Sequence, residues 1–217
     1  MNRAWLVLVA CCLCLPVAAQ YKFIEPELAI GTNQGVALWP HISFSPSVSQ
    51  NFDVRYTGGL NVRYIIQKHF GLQVEFNYSQ RGWSTTNDAG ETYSHRLDYL
   101  ELPLVSHIYF GKTNRFFINL GPKLKYMIYD KADTPLSDGG VEQFKAIENR
   151  FDYGIFAGLG YELHSGKAGS FQLEARYDCG LANIFSDRKG EDFSRSGNQA
   201  ITVTFVYMFN VLQKTKD

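Results

Sequence analysis

Apolar and polar side chains alternate with a period of two along most of the chain. Phe70, Leu72, Val74, Phe76 and Tyr78 alternate with Gly71, Gln73, Glu75, Asn77 and Ser79. Successive residues of a β-strand point to opposite faces, so this pattern predicts a strand with one apolar and one polar face. The same alternation runs through 52–66, 97–110, 115–129, 151–164 and 169–184, and through the stripe Ile201, Val203, Phe205, Tyr207 and Phe209. These segments predict seven strands. An eighth is expected at 41–49, because single-chain bacterial barrels close with an even number of strands, although Pro46 is awkward inside a strand.

The predicted connections alternate in length. Short turns fall at Gln67-Lys68-His69, Gly111-Lys112-Thr113-Asn114 and Ser165-Gly166-Lys167-Ala168, and longer polar links at about 84–96, 130–150 and 185–197. After the N-terminal segment no apolar stretch is long enough for a helical span, whereas barrel strands need only about 9–11 residues to cross a bilayer. The pattern therefore predicts an all-β fold: an antiparallel transmembrane barrel over 41–210, with short turns and both chain ends periplasmic and long loops extracellular. Trp83, Tyr99, Tyr129, Phe151 and Phe185 lie near the long-loop ends and are expected to form an aromatic girdle. A soluble antiparallel barrel or sandwich is the competing reading, since alternation says only that the two faces differ.

An eight-stranded barrel is just wide enough for side chains to fill it. If the apolar stripes face lipid, parity turns Arg55, Arg63, Lys123, Lys125 and Arg176 inward with Glu75, Glu101, Glu162, Glu174 and Asp178. Equal numbers of each sign fit an interior in which buried charges must pair.

Residues Met1 to Gln20 combine Arg3, an apolar run from Trp5 to Leu15 and the small-residue approach Pro16-Val17-Ala18-Ala19, the layout of a signal peptide over 1–20. Cleavage is expected after Ala19 or Gln20, with lipidation at Cys11 as the competing possibility. Residues 21–40 are expected to form a lead-in to the barrel, with an added strand or a segment lining the lumen as the alternatives, and 211–217 a C-terminal tail. Three of the four cysteines lie in the N-terminal segment, leaving Cys179, so no internal disulfide is expected in the exported chain. The charge is balanced, 21 Lys+Arg against 21 Asp+Glu, which gives no reason to expect a nucleic-acid partner. The 13 Tyr, 16 Phe and 19 Gly favour many strands joined by turns.

No catalytic or cofactor constellation stands out. His41, His69, His95, His107 and His164 are scattered without metal-ligand spacing, and no nucleophile elbow occurs. Glycines in Gly154-Ile155-Phe156-Ala157-Gly158-Leu159-Gly160 sit in a strand pattern, and are read as admitting large inward neighbours or barrel curvature. Asp130, Asp133 and Asp138 lack the spacing of a calcium loop.

Several stretches carry a resemblance. Glu75-Phe76-Asn77-Tyr78-Ser79-Gln80-Arg81-Gly82, Tyr99-Leu100-Glu101-Leu102-Pro103-Leu104, Asn119-Leu120-Gly121-Pro122, the run from Phe151 to Glu162 and the run from Leu173 to Ile184 follow in order. Over about 41–210 the chain resembles the PorT-like family of outer-membrane β-barrels of Bacteroidetes. The resemblance implies an outer-membrane location and a barrel architecture; the named member is linked to secretion of proteins with C-terminal sorting domains, a role the shared strand and turn residues do not carry over.

The function expected is structural or interactive in the cell envelope, without catalysis. A narrow channel and a component of a secretion or assembly system are the alternatives. Expected partners are outer-membrane lipid, the barrel assembly machinery, with Phe209 as an internal recognition aromatic, and envelope or secretion proteins.

Overall fold

The computed structural model describes residues 27–45, 50–86, 92–132, 149–165, 169–182 and 195–212. They form eight strands: β1 (Glu27–Ser45), β2 (Val54–Gln67), β3 (Phe70–Thr86), β4 (Thr92–Gly111), β5 (Asn114–Ala132), β6 (Phe151–His164), β7 (Ser170–Gly180) and β8 (Arg195–Leu212). Each pairs antiparallel with the next, and β8 pairs with β1 to close a barrel. Closure leaves no unpaired strand edge, the condition for crossing a bilayer with strands.

Parity sorts the side chains as the alternation requires. Leu72, Val74 and Phe76 on β3, Leu159 on β6 and Leu173 on β7 stand on the outer surface. Their polar neighbours Gln73, Glu75 and Asn77 on β3 and Glu174 and Arg176 on β7 are buried inside. This is the reverse of a water-soluble protein: the large apolar residues form the exterior, and lipid is the solvent that makes this favourable.

The first strand departs from the sequence expectation. It begins at Glu27 and pairs with β2 from Leu28↔Tyr64 to Leu38↔Val54, so residues 27–40 belong to the barrel wall and not to a lead-in, and 41–49 is not a separate strand. Period-two reading missed it because its outward positions include Thr32 and Gln34 and its inward ones Gly31, Asn33 and Gly35, which removes the apolar contrast. Trp39, with φ of 49°, then breaks the phase at a register shift between Leu38 and His41. Such a bulge re-aims the strand beyond it.

The other strands run further at the long-loop end than their apolar stripes suggest. Residues 84–86 and 92–96 are paired strand, so the β3–β4 connection shrinks to 87–91, and β8 starts at Arg195. Strands of 17 to 20 residues such as β3, β4 and β5 exceed the roughly 9–11 needed to cross the bilayer. Their ends leave the lipid, where outward residues need no apolar character. The expected signal segment 1–20 and the residues 213–217 of the expected tail lie outside the described residues; Val211 and Leu212 complete β8.

Candidate functional site

The inward faces of the strands meet in a ladder of ion pairs. At mid-barrel, Arg176 on β7 clamps Glu75 on β3, its Nη1 and Nη2 each donating at 2.9 Å. Its Nε and Nη2 also donate to Glu174 at 3.0 Å, and its guanidinium lies 4.4 Å from the Phe156 ring centroid. The planar guanidinium fork suits two carboxylates at once. Gln73 and Asn77 donate to the same Glu75 carboxylate at 2.7 and 2.9 Å, completing its acceptor valences. Gly158 faces this cluster: a β-carbon there would stand 3.2 Å from Cδ of Glu174, so the missing side chain makes room for the carboxylate.

Toward the long-loop end, Arg81 donates to Glu101 and to Asp178, both at 3.1 Å. Lys123 donates to Glu101 at 3.0 Å and contacts Asp178, which also accepts from Thr202 at 3.1 Å. Further along, Lys125 pairs with Asp152 at 2.7 Å, and Trp83, Leu97, Tyr99 and Met127 fill the space around them. Toward the short turns, Arg63 donates to Gln73, Glu162 and Gln172 at 2.6, 3.1 and 2.9 Å, and Arg115 adds a second cation on Glu162 at 3.1 Å. Apolar clusters of Ile65, Tyr109 and Phe117, and of Ala29, Val206 and Met208, pack at that end. The cavity left between Glu75, Arg81, Lys123, Glu174, Arg176 and Asp178 measures about 20 Å³, room for about one water.

Nine of the ten charged residues expected inside are buried there. The structure brings together Glu75, Glu174 and Arg176; Glu101, Lys123 and Asp178; and Arg63 with Glu162. Arg55 instead sits half-buried at the rim, paired with Asp53 at 2.7 Å and donating to Ser94 at 2.9 Å. Arg81, Arg115 and Asp152 were missed, although each has inward parity: Arg81 continues the series Gln73, Glu75, Asn77, Ser79 one step further, and Asp152 lies between outward Phe151 and Tyr153. His107 was also missed as an interior group; it is fully buried, with Nδ1 2.7 Å from Asn119 Oδ1.

The expected girdle is corrected in two places. Trp83 and Tyr99 are wholly buried inside the barrel, as their odd numbers require, whereas Tyr129 and Phe151 are exposed outside and Phe185 lies outside the described residues. Outward Tyr56, Tyr78, Tyr126, Tyr153 and Tyr177 take the belt role, a level where an amphipathic ring suits the boundary between lipid and water. Just beyond, Arg96 donates to Asp98 from Nε and Nη2 at 2.8 Å, and Tyr78 donates to Asp98 at 2.8 Å, an outward ion pair that belongs at headgroup level. Asp130 contacts His95, while Asp133 and Asp138 lie outside the described residues. No acidic, histidine or cysteine cluster suited to a metal occurs among the described residues.

A closed antiparallel barrel of eight strands, apolar outside and ion-paired inside, is the build of an outer-membrane protein. The chain belongs to the family described as the outer membrane protein beta-barrel domain, whose model matches residues 13–186. Among solved structures, the chain is similar to the outer membrane protein OprG from Pseudomonas aeruginosa, at 11% identity and a TM-score of 0.51, over 86% of this chain and 94% of that one. It is also similar to Neisserial surface protein A, at 10% identity and a TM-score of 0.44 over 87% and 100%. The outer membrane enzyme PagL matches at 10% identity and a TM-score of 0.43 over 81% and 97%. A search of curated proteins finds no match. The likeness to OprG concerns the fold, and the family places the protein in the outer membrane.

Proposed function

We propose that the protein is a plugged, non-catalytic barrel whose role in the envelope is structural or interactive, exercised through its long-loop end. The observation that carries this reading is the committed interior. Each carboxylate of the ladder from Glu75 to Asp178 is held by one or more cations, and the space left among them is about 20 Å³. A conducting pore would need hydrated charges lining a continuous path, and here the charges are spent on one another. The same pairing leaves these carboxylates without the freedom expected of a general base. Outer-membrane lipid is the surrounding partner, and the assembly machinery the partner during insertion.

Planar-bilayer recording of the purified full chain tests the reading. No stepwise ion current is expected, and steady conductance steps overturn the plug. A second reading is the narrower kinship with PorT-like barrels, which the stretches from Tyr99 to Leu104 and from Phe151 to Glu162 favour; a place in a secretion assembly is not carried by those strand and turn residues and has to be read from partners. Gentle detergent extraction from the native envelope distinguishes it, by stoichiometric co-purification of an envelope protein.

A further inference from the structure

Between the two ends of its apolar exterior the barrel presents an amide side chain that hydrocarbon cannot satisfy. Gln34 on β1 lies outward and exposed, one residue from inward Asn33. Its depth follows from register. It stands opposite Gly58 on β2 and Phe205 on β8, each the third outward position from the long-loop end in series that run from Val54 to Ile66 and from Ile201 to Val211. Among the described residues it is the sole amide or charged side chain at that level.

A primary amide offers two donors and a twice-accepting oxygen, and lipid tails satisfy none of them. Neighbouring Thr32 has already turned its hydroxyl to the carbonyl of Gly59 at 3.0 Å, whereas no protein hydrogen bond satisfies the Gln34 amide. The adjacent surface carries a second polar group. Gly58 carries no side chain, and Tyr56 folds over it, so that a β-carbon there would meet the phenol oxygen at 2.5 Å. That brings a hydroxyl down from the tyrosine belt to the level of Gln34.

We propose that the β1–β2 face around Gln34 is a homodimer contact, made with a second copy of this chain in the plane of the membrane. The occupant follows from the amide's own chemistry. Two copies inserted with the same polarity relate by a two-fold axis along the membrane normal, which sets each Gln34 at the same depth as its equivalent. A primary amide is self-complementary, donating through N–H and accepting through C=O, so two of them form a reciprocal pair with no third component. The contact is isologous, and it uses the rule of membrane interfaces that polar side chains join surfaces through hydrogen bonds.

The test uses the full chain in native outer membranes. In a Cys179→Ser background, Gln34→Cys is compared under mild oxidation with Leu159→Cys, which stands at a similar depth on β6, and with the parent as blank. Disulfide-linked homodimer is expected from Gln34→Cys alone. In vesicles, Gln34→Leu, which suits a lipid-facing site, is expected to raise the dimer dissociation constant about tenfold by energy transfer between labelled copies, the effect of an interhelical-type hydrogen bond in lipid. Equal cross-linking at both positions, cross-linking only to a different protein, or undiminished association of Gln34→Leu overturns the proposal. Monomeric barrels that still fail to conduct would leave the plugged reading untouched, so the two stand or fall separately.

Discussion

The wall from β3 to β7 and the seam where β8 meets β1 are built on different terms. The wall holds nearly all the interior charge: Glu75 and Arg81 on β3, Glu101 on β4, Lys123 and Lys125 on β5, Glu162 on β6, and Glu174, Arg176 and Asp178 on β7. Its outside is mostly apolar, interrupted by Ser106 on β4, which stands opposite outward Leu72 and Leu120, and by the Arg96–Asp98 pair beyond the belt. The seam turns Ala29, Asn33 and Ala37 inward from β1 and Asn198, Ala200, Thr202, Val206 and Met208 from β8, none of them charged, and it carries Gln34 outside. The wall is therefore held by directional ion pairs across the lumen, and the seam by the backbone ladder and close packing. A neutral seam can close without burying an unpaired charge.

Truncating the wall's central clamp should have the largest effect. Glu75→Ala leaves Arg176 buried with only Glu174, and removing one partner of a buried pair costs about 3–5 kcal/mol. Urea titration in lipid vesicles, read by tryptophan emission and heat-dependent gel mobility, should show the midpoint falling by a corresponding amount. A loss under about 1 kcal/mol would mean that water reaches the ladder and that wall and seam differ less than their charges suggest.

The exterior offers the next contrast. Arginine on the lipid face near the bilayer midplane costs about 2–4 kcal/mol. Leu159→Arg should show that full cost, since Leu159 is 65% exposed in the apolar wall. Gln34→Arg should lose distinctly less at the high lipid-to-protein ratio that keeps barrels apart, because the native side chain there is already polar. Equal losses at the two positions would remove the distinction between the two exteriors.

The same division explains what could be read from the chain. Strands β5, β6 and β7 were legible because every outward position from Phe116 to Tyr177 is apolar or small while the inward ones carry Lys123, Glu162 or Arg176, giving maximal contrast. β1 is hard to read for the opposite reason: with glycine, alanine and asparagine inside and threonine and glutamine interrupting Ile30 and Val36 outside, the contrast of period two is weak, and the bulge at Trp39 shifts the phase before Ile42. Interior parity placed Glu75 and Arg176 inside, yet their pairing across 101 residues depends on strand tilt and closure, which local pattern does not contain. The girdle expectation puts Trp83 and Tyr99 outside because aromatics near strand ends suit a girdle; parity carried through the polar strand ends turns them inward.

On the β1 side of the seam a pair of bonds from Asn33 reaches toward the wall, as Thr202 and Asn198 do from β8, and breaking the Asn33 pair should give the smallest of the three effects. Asn33, the one polar inward side chain between Ala29 and Ala37, donates from Nδ2 to Asn61 at 2.6 Å and to Asn77 at 2.9 Å, and Asn77 in turn donates to Glu75. Asn33→Ala removes a donor from two buried acceptors without touching any ion pair, a loss of about 1–3 kcal/mol. Its location should be as informative as its size. Amide exchange should quicken along β1 and β2, between Leu28 and Val62, while β5 to β7 keep their protection, because the clamp at Arg176 does not depend on Asn33. Uniform quickening around the whole barrel would mean that the seam and the wall open as one unit, and that the neutral seam is as firmly held as the charged wall.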